Sequence, residues 1–195
     1  MNTTTIICYG DSNTYGFDPR SFLGGRYDKN NRCCDLVQKN TGFNMVNCGE
    51  NGRTIPVEDF EFRLLDKMLE YNAPVDGVVV MLGSNDMLLC GSGNAYKTAD
   101  KMENLIVHLK AKAPNAKILL LTPPPVNIPS AIIKEKMQIL NTLYKEIAQK
   151  QKIHFADTGT WNLSLSHDGV HLSEEGHHSF AANIQFILMD VMGLK

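Results

Sequence analysis

Residues 77–82 read GVVVML: one glycine, then five apolar side chains with no polar residue between them. A strand with one wet face alternates apolar and polar residues. A strand covered on both faces does not, so this run predicts an inner strand of a parallel sheet. Similar short runs lie on either side of it. Residues 4–9 are β-branched and aromatic, 44–48 form a second run, 117–122 read KILLLT before three prolines, and 153–156 make a short fifth.

Helical periodicity fills the intervals. Phe60, Leu64, Leu65 and Met68 fall on one face, as do Met102, Leu105, Ile106 and Leu109. Met137, Leu140, Tyr144 and Ile147 form a third set, and Phe180, Ile184, Ile187 and Val191 a fourth. Residues 32–41 give a weaker helix. Ser173 is placed to cap the last one, with Glu174 and Glu175 in its first turn. Strand and helix alternate five times, which predicts an α/β fold of three layers, helices on both faces of a five-stranded parallel sheet. The flavodoxin-like strand order 2-1-3-4-5 is expected. No repeat, low-complexity tract or linker interrupts the pattern, so residues 1–195 read as a single domain.

Composition bounds the partners. Hydrophobic residues are 43% and charged residues 21% of 195, with a net charge of −2. Nothing in that balance attracts nucleic acid or an anionic membrane. The first eleven residues, MNTTTIICYGD, lack the basic and apolar regions of a signal peptide and are far too short in apolar length to span a bilayer. Cysteines 8, 33, 34, 48 and 90 are odd in number and contain no CxxC pair, so reduced thiols in a cytoplasm are expected. A homo-oligomer is left open.

In such a sheet, ligands bind beyond the carboxyl ends of the strands, where the strand order reverses. Four loops deliver small polar residues to that edge: Asp11-Ser12 after the first strand, Gly49-Glu50-Asn51-Gly52 after the second, Gly83-Ser84-Asn85-Asp86 after the third, and Asp168 to His171 before the last helix. Together they meet the needs of acyl transfer. Ser12 is a nucleophile once a base takes its proton, and the His171 imidazole is suited to do so. Asp168, three residues earlier, can reach back to Nδ1 of His171 and fix its tautomer. Backbone N–H groups of Ser12 and Gly52 and the Asn85 amide can donate to a developing oxyanion.

These blocks resemble the SGNH hydrolases, also called GDSL esterases and lipases. Gly10-Asp11-Ser12, the glycine after the second strand, Gly83-Ser84-Asn85-Asp86, and Asp168 with His171 stand in the family's order, from residue 5 to about 178. The choice of Gly52 over Gly49 as the second block rests on that family pattern. The stretches ICYGDSNTYGFDP and VVVMLGSNDM look most like the arylesterase and acyltransferase branch. The resemblance implies a flavodoxin-like three-layer fold, hydrolysis of small acyl esters with acyl transfer as a variant, and no metal or cofactor. Asn13 departs from it, standing where many members have leucine. Residues 87–97 and 123–130 do not name a substrate, and a carbohydrate O-deacetylase would use the same chemistry.

Each residue has a plainer role to set beside this one. Ser12 or Asp11 can cap a short helix, Asp11 and Asp86 can brace loops, and Asn85 can be a turn residue. His171 competes with His167, His177 and His178, while His108 and His154 suit surface or core. Tyr15 and Trp161 can line a pocket or simply pack. Two rival functions are a flavodoxin-like binding module, disfavoured by the acid at Asp11 where a phosphate would sit, and a metal-dependent phosphoesterase using Asp11, Asp86, Asp168 and His171. The G-x-S-x-G elbow of the other large serine-esterase fold is absent around Ser12.

Overall fold

The computed structural model describes residues 3–88 and 93–194, so Cys90 lies outside the described residues. Five parallel strands, β1 (Thr5–Gly10), β2 (Asn44–Gly49), β3 (Gly77–Met81), β4 (Lys117–Leu121) and β5 (His154–Ala156), form one sheet in the order β2-β1-β3-β4-β5. The helices are α1 (Ser12–Tyr15), α2 (Cys33–Thr41), α3 (Asp59–Tyr71), α4 (Ser84–Leu88), α5 (Ala95–Lys112), α6 (Ala131–Gln151) and α7 (Glu174–Met192). This is the flavodoxin-like three-layer arrangement expected from the sequence.

The central strands divide their side chains between two separate cores, as a period of two requires. Ile7, Tyr9, Val78, Val80, Leu82, Ile118 and Leu120 face one core, closed by Leu65 and Leu69 of α3, Met102, Leu105, Ile106 and Leu109 of α5, and Met137, Leu140 and Tyr144 of α6. Ile6, Cys8, Val79, Met81, Leu119 and Leu121 face the other, closed by Cys33, Cys34, Leu36 and Val37 of α2 and by Phe180, Ile184 and Leu188 of α7. The unbroken apolar run at 77–82 is explained by this: neither face of β3 meets water. Each such aliphatic side chain contributes roughly 1.5–3 kcal/mol through burial. Trp161 packs edge-on against Phe180 in the second core.

The helical stripes of α5 and α6 are buried as their spacing predicts. In α7, Ile187 is only partly buried and Leu188 takes the innermost place. The face of α3 needs correction. Leu65 and Leu69 are buried, whereas Phe60 and Leu64 are 55% and 58% exposed. Leu64 lies about 100° round the helix from Leu65, and α3 turns its Leu65–Leu69 side to the core, with Phe62 and Met68 packed at its margins. Apolar residues on several sides of the helix hid which side that was.

The top of the sheet is shaped by two strand-ending glycines. Gly10 and Gly49 are paired in register, and α1 lies directly over them. A Cβ on Gly49 would come within 2.2 Å of the Tyr15 nitrogen and 2.7 Å of the Thr14 carbonyl carbon. Asn47, on β2, completes the seat: its Nδ2 donates to Thr14 O at 2.7 Å and its Oδ1 accepts from Gly49 N at 3.0 Å. Because the obstructing atoms are backbone, Gly49→Ala is expected to destabilise the fold by roughly 1–3 kcal/mol, the usual cost of overpacking. A urea-denaturation midpoint equal to that of the parent would mean that α1 does not rest on Gly49.

Candidate active site

Asp11 begins the site. It is the N-cap of α1, with Oδ1 accepting from Asn13 N at 3.0 Å. The cap therefore belongs to the acid, and Ser12, first residue of the helix, keeps its hydroxyl for another use. The Ser12 N–H, one of the unsatisfied donors at a helix start, has no intrahelical acceptor.

Residues from the far end of the chain meet Ser12. His171 Nε2 lies 2.9 Å from Ser12 Oγ, and His171 Nδ1 lies 2.5 Å from Asp168 Oδ2. The other Asp168 oxygen accepts from the N–H groups of Val170 and His171, each at 3.0 Å. Burial alone would raise the Asp168 pKa, but the His171 ring and these two N–H groups outweigh it and hold the carboxyl below its ordinary value. Asp168 thus stays ionised wherever a neutral imidazole is available as a base. Phe17 packs on the other side of the His171 ring, with centroids 4.8 Å apart.

Gly169 makes the turn between acid and base possible. Its φ is +69°, and a Cβ there would lie 2.4 Å from Asn127 O. Asn127 N donates to Gly169 O at 2.7 Å, so the loop after β4 is tied to the loop that carries Asp168 and His171.

The second and third sequence blocks are fastened to each other. Asn85 Nδ2 donates to Arg53 O at 2.9 Å, and its second amide hydrogen has no partner among the described residues. Asp86 is buried; it accepts from Ile55 N at 3.0 Å and pairs with Lys101 Nζ at 2.9 Å. Arg53 donates to Gly10 O at 2.8 Å, to Cys48 O, and to Glu50 at 2.6 Å, and its guanidinium lies over the Tyr9 ring. The loop holding Gly52 is therefore pinned to the ends of β1 and β2 and to α4. Gly49 N–H is spent on Asn47, whereas Gly52 N–H donates to no group among the described residues. Gly52 is exposed, has φ +76°, and nothing lies within 4 Å of where its Cβ would be. Of the two glycines, only Gly52 has an amide free for a ligand.

The competing histidines are elsewhere. His177 is buried edge-on against Tyr27, His178 meets Asn31, His108 pairs with Asp66, and His154 and His167 are exposed. Tyr15 lies under the Arg26 guanidinium. Among the described residues, no three His, Cys, Asp or Glu side chains are grouped to hold a metal ion. Arg53 and Lys101 were not legible as site residues, since a lone basic residue carries no local signal. Asn13 carried one, its departure from the family pattern.

The matches to known proteins bear on the family and the fold. The family model described as GDSL-like lipase/acylhydrolase matches residues 8–178. No curated protein sequence matches the chain. Among solved structures, a carbohydrate acetylesterase family member from Sinorhizobium meliloti is 29% identical, with a TM-score of 0.84 over 98% of this chain and 100% of that one. Another carbohydrate acetylesterase from the same organism is 25% identical, with a TM-score of 0.85 over 97% and 100%. The native aryl esterase of M. smegmatis, at 23% identity and a TM-score of 0.83 over 97% and 100%, shares the fold.

Asp11 gives a test with a definite sign. Burial raises its pKa from 3.8 to about 6, against the opposing pull of the Asn13 N–H and of His171. The folded state thus favours the protonated carboxyl. The stability this contributes is present below the ordinary value and is lost as pH rises through about 6. Asp11→Asn mimics the neutral form, so its Tm relative to the parent is expected to be higher at pH 7.5 than at pH 4. A Tm difference independent of pH, measured by calorimetry, would show that the Asp11 carboxyl titrates normally.

Proposed function

We propose a Ser–His–Asp mechanism from one premise: this chain belongs to the GDSL-like lipase/acylhydrolase family. The chain is an ester hydrolase. The observation that carries the mechanism is the 2.9 Å contact between Ser12 Oγ and His171 Nε2, continued by the 2.5 Å contact from His171 Nδ1 to Asp168.

In the proposed reaction, Ser12 Oγ attacks the ester carbonyl carbon as His171 Nε2 takes its proton. Asp168, ionised, accepts from Nδ1 and stabilises the imidazolium. The carbonyl oxygen becomes an oxyanion, and the N–H groups of Ser12 and Gly52 with the uncommitted Asn85 amide hydrogen donate to it. His171 returns the proton to the leaving alcohol oxygen, leaving an acyl group on Ser12. Water then repeats the sequence, losing its proton to His171, and the acid departs from Ser12. A second alcohol in place of water gives acyl transfer. No metal or cofactor enters any step.

The substrate class we assign is a small ester, acetyl or another short acyl group on an alcohol or aryl oxygen. A carbohydrate O-acetyl ester is the second reading, favoured by the 29% identity to a carbohydrate acetylesterase family member along almost the whole chain. The free thiols Cys8, Cys33, Cys34 and Cys48 support a reducing, cytoplasmic setting.

Rates on p-nitrophenyl esters from acetate to octanoate, set beside acetylated sugars, separate the two readings. Fastest turnover on acetyl sugars selects the second. Ser12→Ala is expected to abolish turnover and labelling by a fluorophosphonate, and a labelled variant would move the nucleophile elsewhere. Asn85→Ala should lower kcat by roughly 10²–10³-fold, the loss typical of one oxyanion donor. Asp168→Asn should lower it by about 10⁴-fold through the wrong imidazole tautomer. Full activity in either variant would remove that residue from the mechanism.

A further inference from the structure

We propose that Asn13 is a positioning residue that sets the alignment of His171 with Ser12, an inference that rests on the serine-esterase reading above. Asn13 follows Ser12 on α1 and is 3% exposed. Its side chain crosses to the loop that carries His171. Nδ2 donates to Val170 O at 3.3 Å, and Oδ1 accepts from Leu172 N at 2.8 Å. Those two groups belong to the residues immediately before and after His171, so a single amide holds the histidine's backbone from both sides.

Apart from Gly169 O, which accepts from Asn127 N, the other bonds of this segment run within its own loop. Asp168 takes the N–H groups of Val170 and His171, and Ser166 N donates to His171 O at 2.7 Å. Among the described residues, only three hydrogen bonds join α1 to residues 166–172: the two of Asn13, and the Ser12–His171 contact itself. The nucleophile and its base come from elements 159 residues apart in sequence. Asn13 is the tie that fixes the distance between them without using either reacting group.

The residue type is suited to this work. A planar amide offers a donor and an acceptor on opposite edges. Aspartate would only accept, and leucine, nearly the same shape, would do neither. With leucine there, the buried Leu172 N–H and the Val170 carbonyl lose their partners and the segment must shift to find others. Asp168 and His171 ride on that same segment and move together. Their mutual contact survives, while the spacing from His171 to Ser12 loosens.

The consequence is a distinctive kinetic pattern. For Asn13→Leu acting on p-nitrophenyl acetate, kcat per fluorophosphonate-titrated site should fall roughly 10- to 100-fold, the order expected of a misplacement near 1 Å. KM should stay within about twofold, because the lost alignment matters in the transition state and not in substrate binding. The pH midpoint of kcat/KM should not move, because Asp168 still faces the imidazole. A variant that is inactive only because part of it is unfolded would show fewer titratable sites at parental kcat per site, and that result overturns the inference. So does parental kcat at full occupancy, or a loss carried by KM. Ser12→Ala, assayed alongside, keeps the two readings apart: its inactivity with a fully active Asn13→Leu removes only the role of Asn13, whereas an active Ser12→Ala removes the serine mechanism. Hydrogen exchange on the parent protein needs no variant. The Leu172 amide should exchange as slowly as the interior of α7, and fast exchange there also overturns the inference.

Discussion

Burial of both faces of the central strands is the constraint on which the rest depends. Val78, Val79, Val80 and Met81 alternate between two dry cores, and so do Ile6 to Tyr9 and Ile118 to Leu121. A charged side chain in the interior of these strands would be left without a partner in apolar surroundings. Polar chemistry is therefore confined to strand ends. Because the strands are parallel, the loops that leave their carboxyl ends all emerge at one edge. Asp11 and Ser12, Gly52, and Asn85 come from three such loops, and Asp168 with His171 arrive from the segment before α7. The site is a consequence of where the sheet tolerates polarity.

Two buried or half-buried carboxylates stand near the same imidazole and are driven in opposite directions. Asp168 holds three hydrogen-bond donors, the ring and two backbone N–H groups, and its pKa is lowered. Asp11 holds one side-chain bond from a backbone N–H and is buried, and its pKa is raised to about 6. The deeper burial of Asp11 and the greater number of donors to Asp168 together decide the sign. Asp168 is suited to sit beside an imidazolium as a fixed negative charge. Asp11 is suited to shape the turn, capping α1 so that the Ser12 hydroxyl is left for His171.

The fold was almost fully legible because its signals are local. An unbroken GVVVML, a KILLLT closed by prolines and the i, i+3, i+4 rows of α5 and α6 each state their environment within a dozen residues. α3 was misjudged where locality fails, since Phe60, Leu64, Leu65 and Met68 are all apolar and only the position of the sheet decides which side is covered. The same limit governs the site. Ser12, Asn85, Asp168 and His171 were nameable from short blocks. The bonds that hold those blocks in place were not: Arg53 to Gly10, Asp86 to Ile55, and Asn13 to Val170 and Leu172 each join residues far apart in sequence. Such ties use ordinary residue types, and nothing near them in the sequence marks their partners.

Those ties also bear on how substrate preference can change in such a molecule. The loop after β4 is a natural place for specificity, since it leaves the sheet at the same edge as the site and contains four prolines that stiffen it without regular structure. Yet it is not independent of the proposed base. Asn127 N bonds to Gly169 O, and the Asn127 carbonyl occupies the space a Cβ on Gly169 would need. A backbone shift at Asn127 is thus transmitted to the turn between Asp168 and His171. In the proposed mechanism, loop length near residue 127 therefore bears on the placement of His171. Side chains at Val126 or Ile128 can vary freely by comparison, because the tie runs through the backbone alone. Specificity in this architecture is expected to be written in the side chains that point from that loop, while its backbone keeps its place.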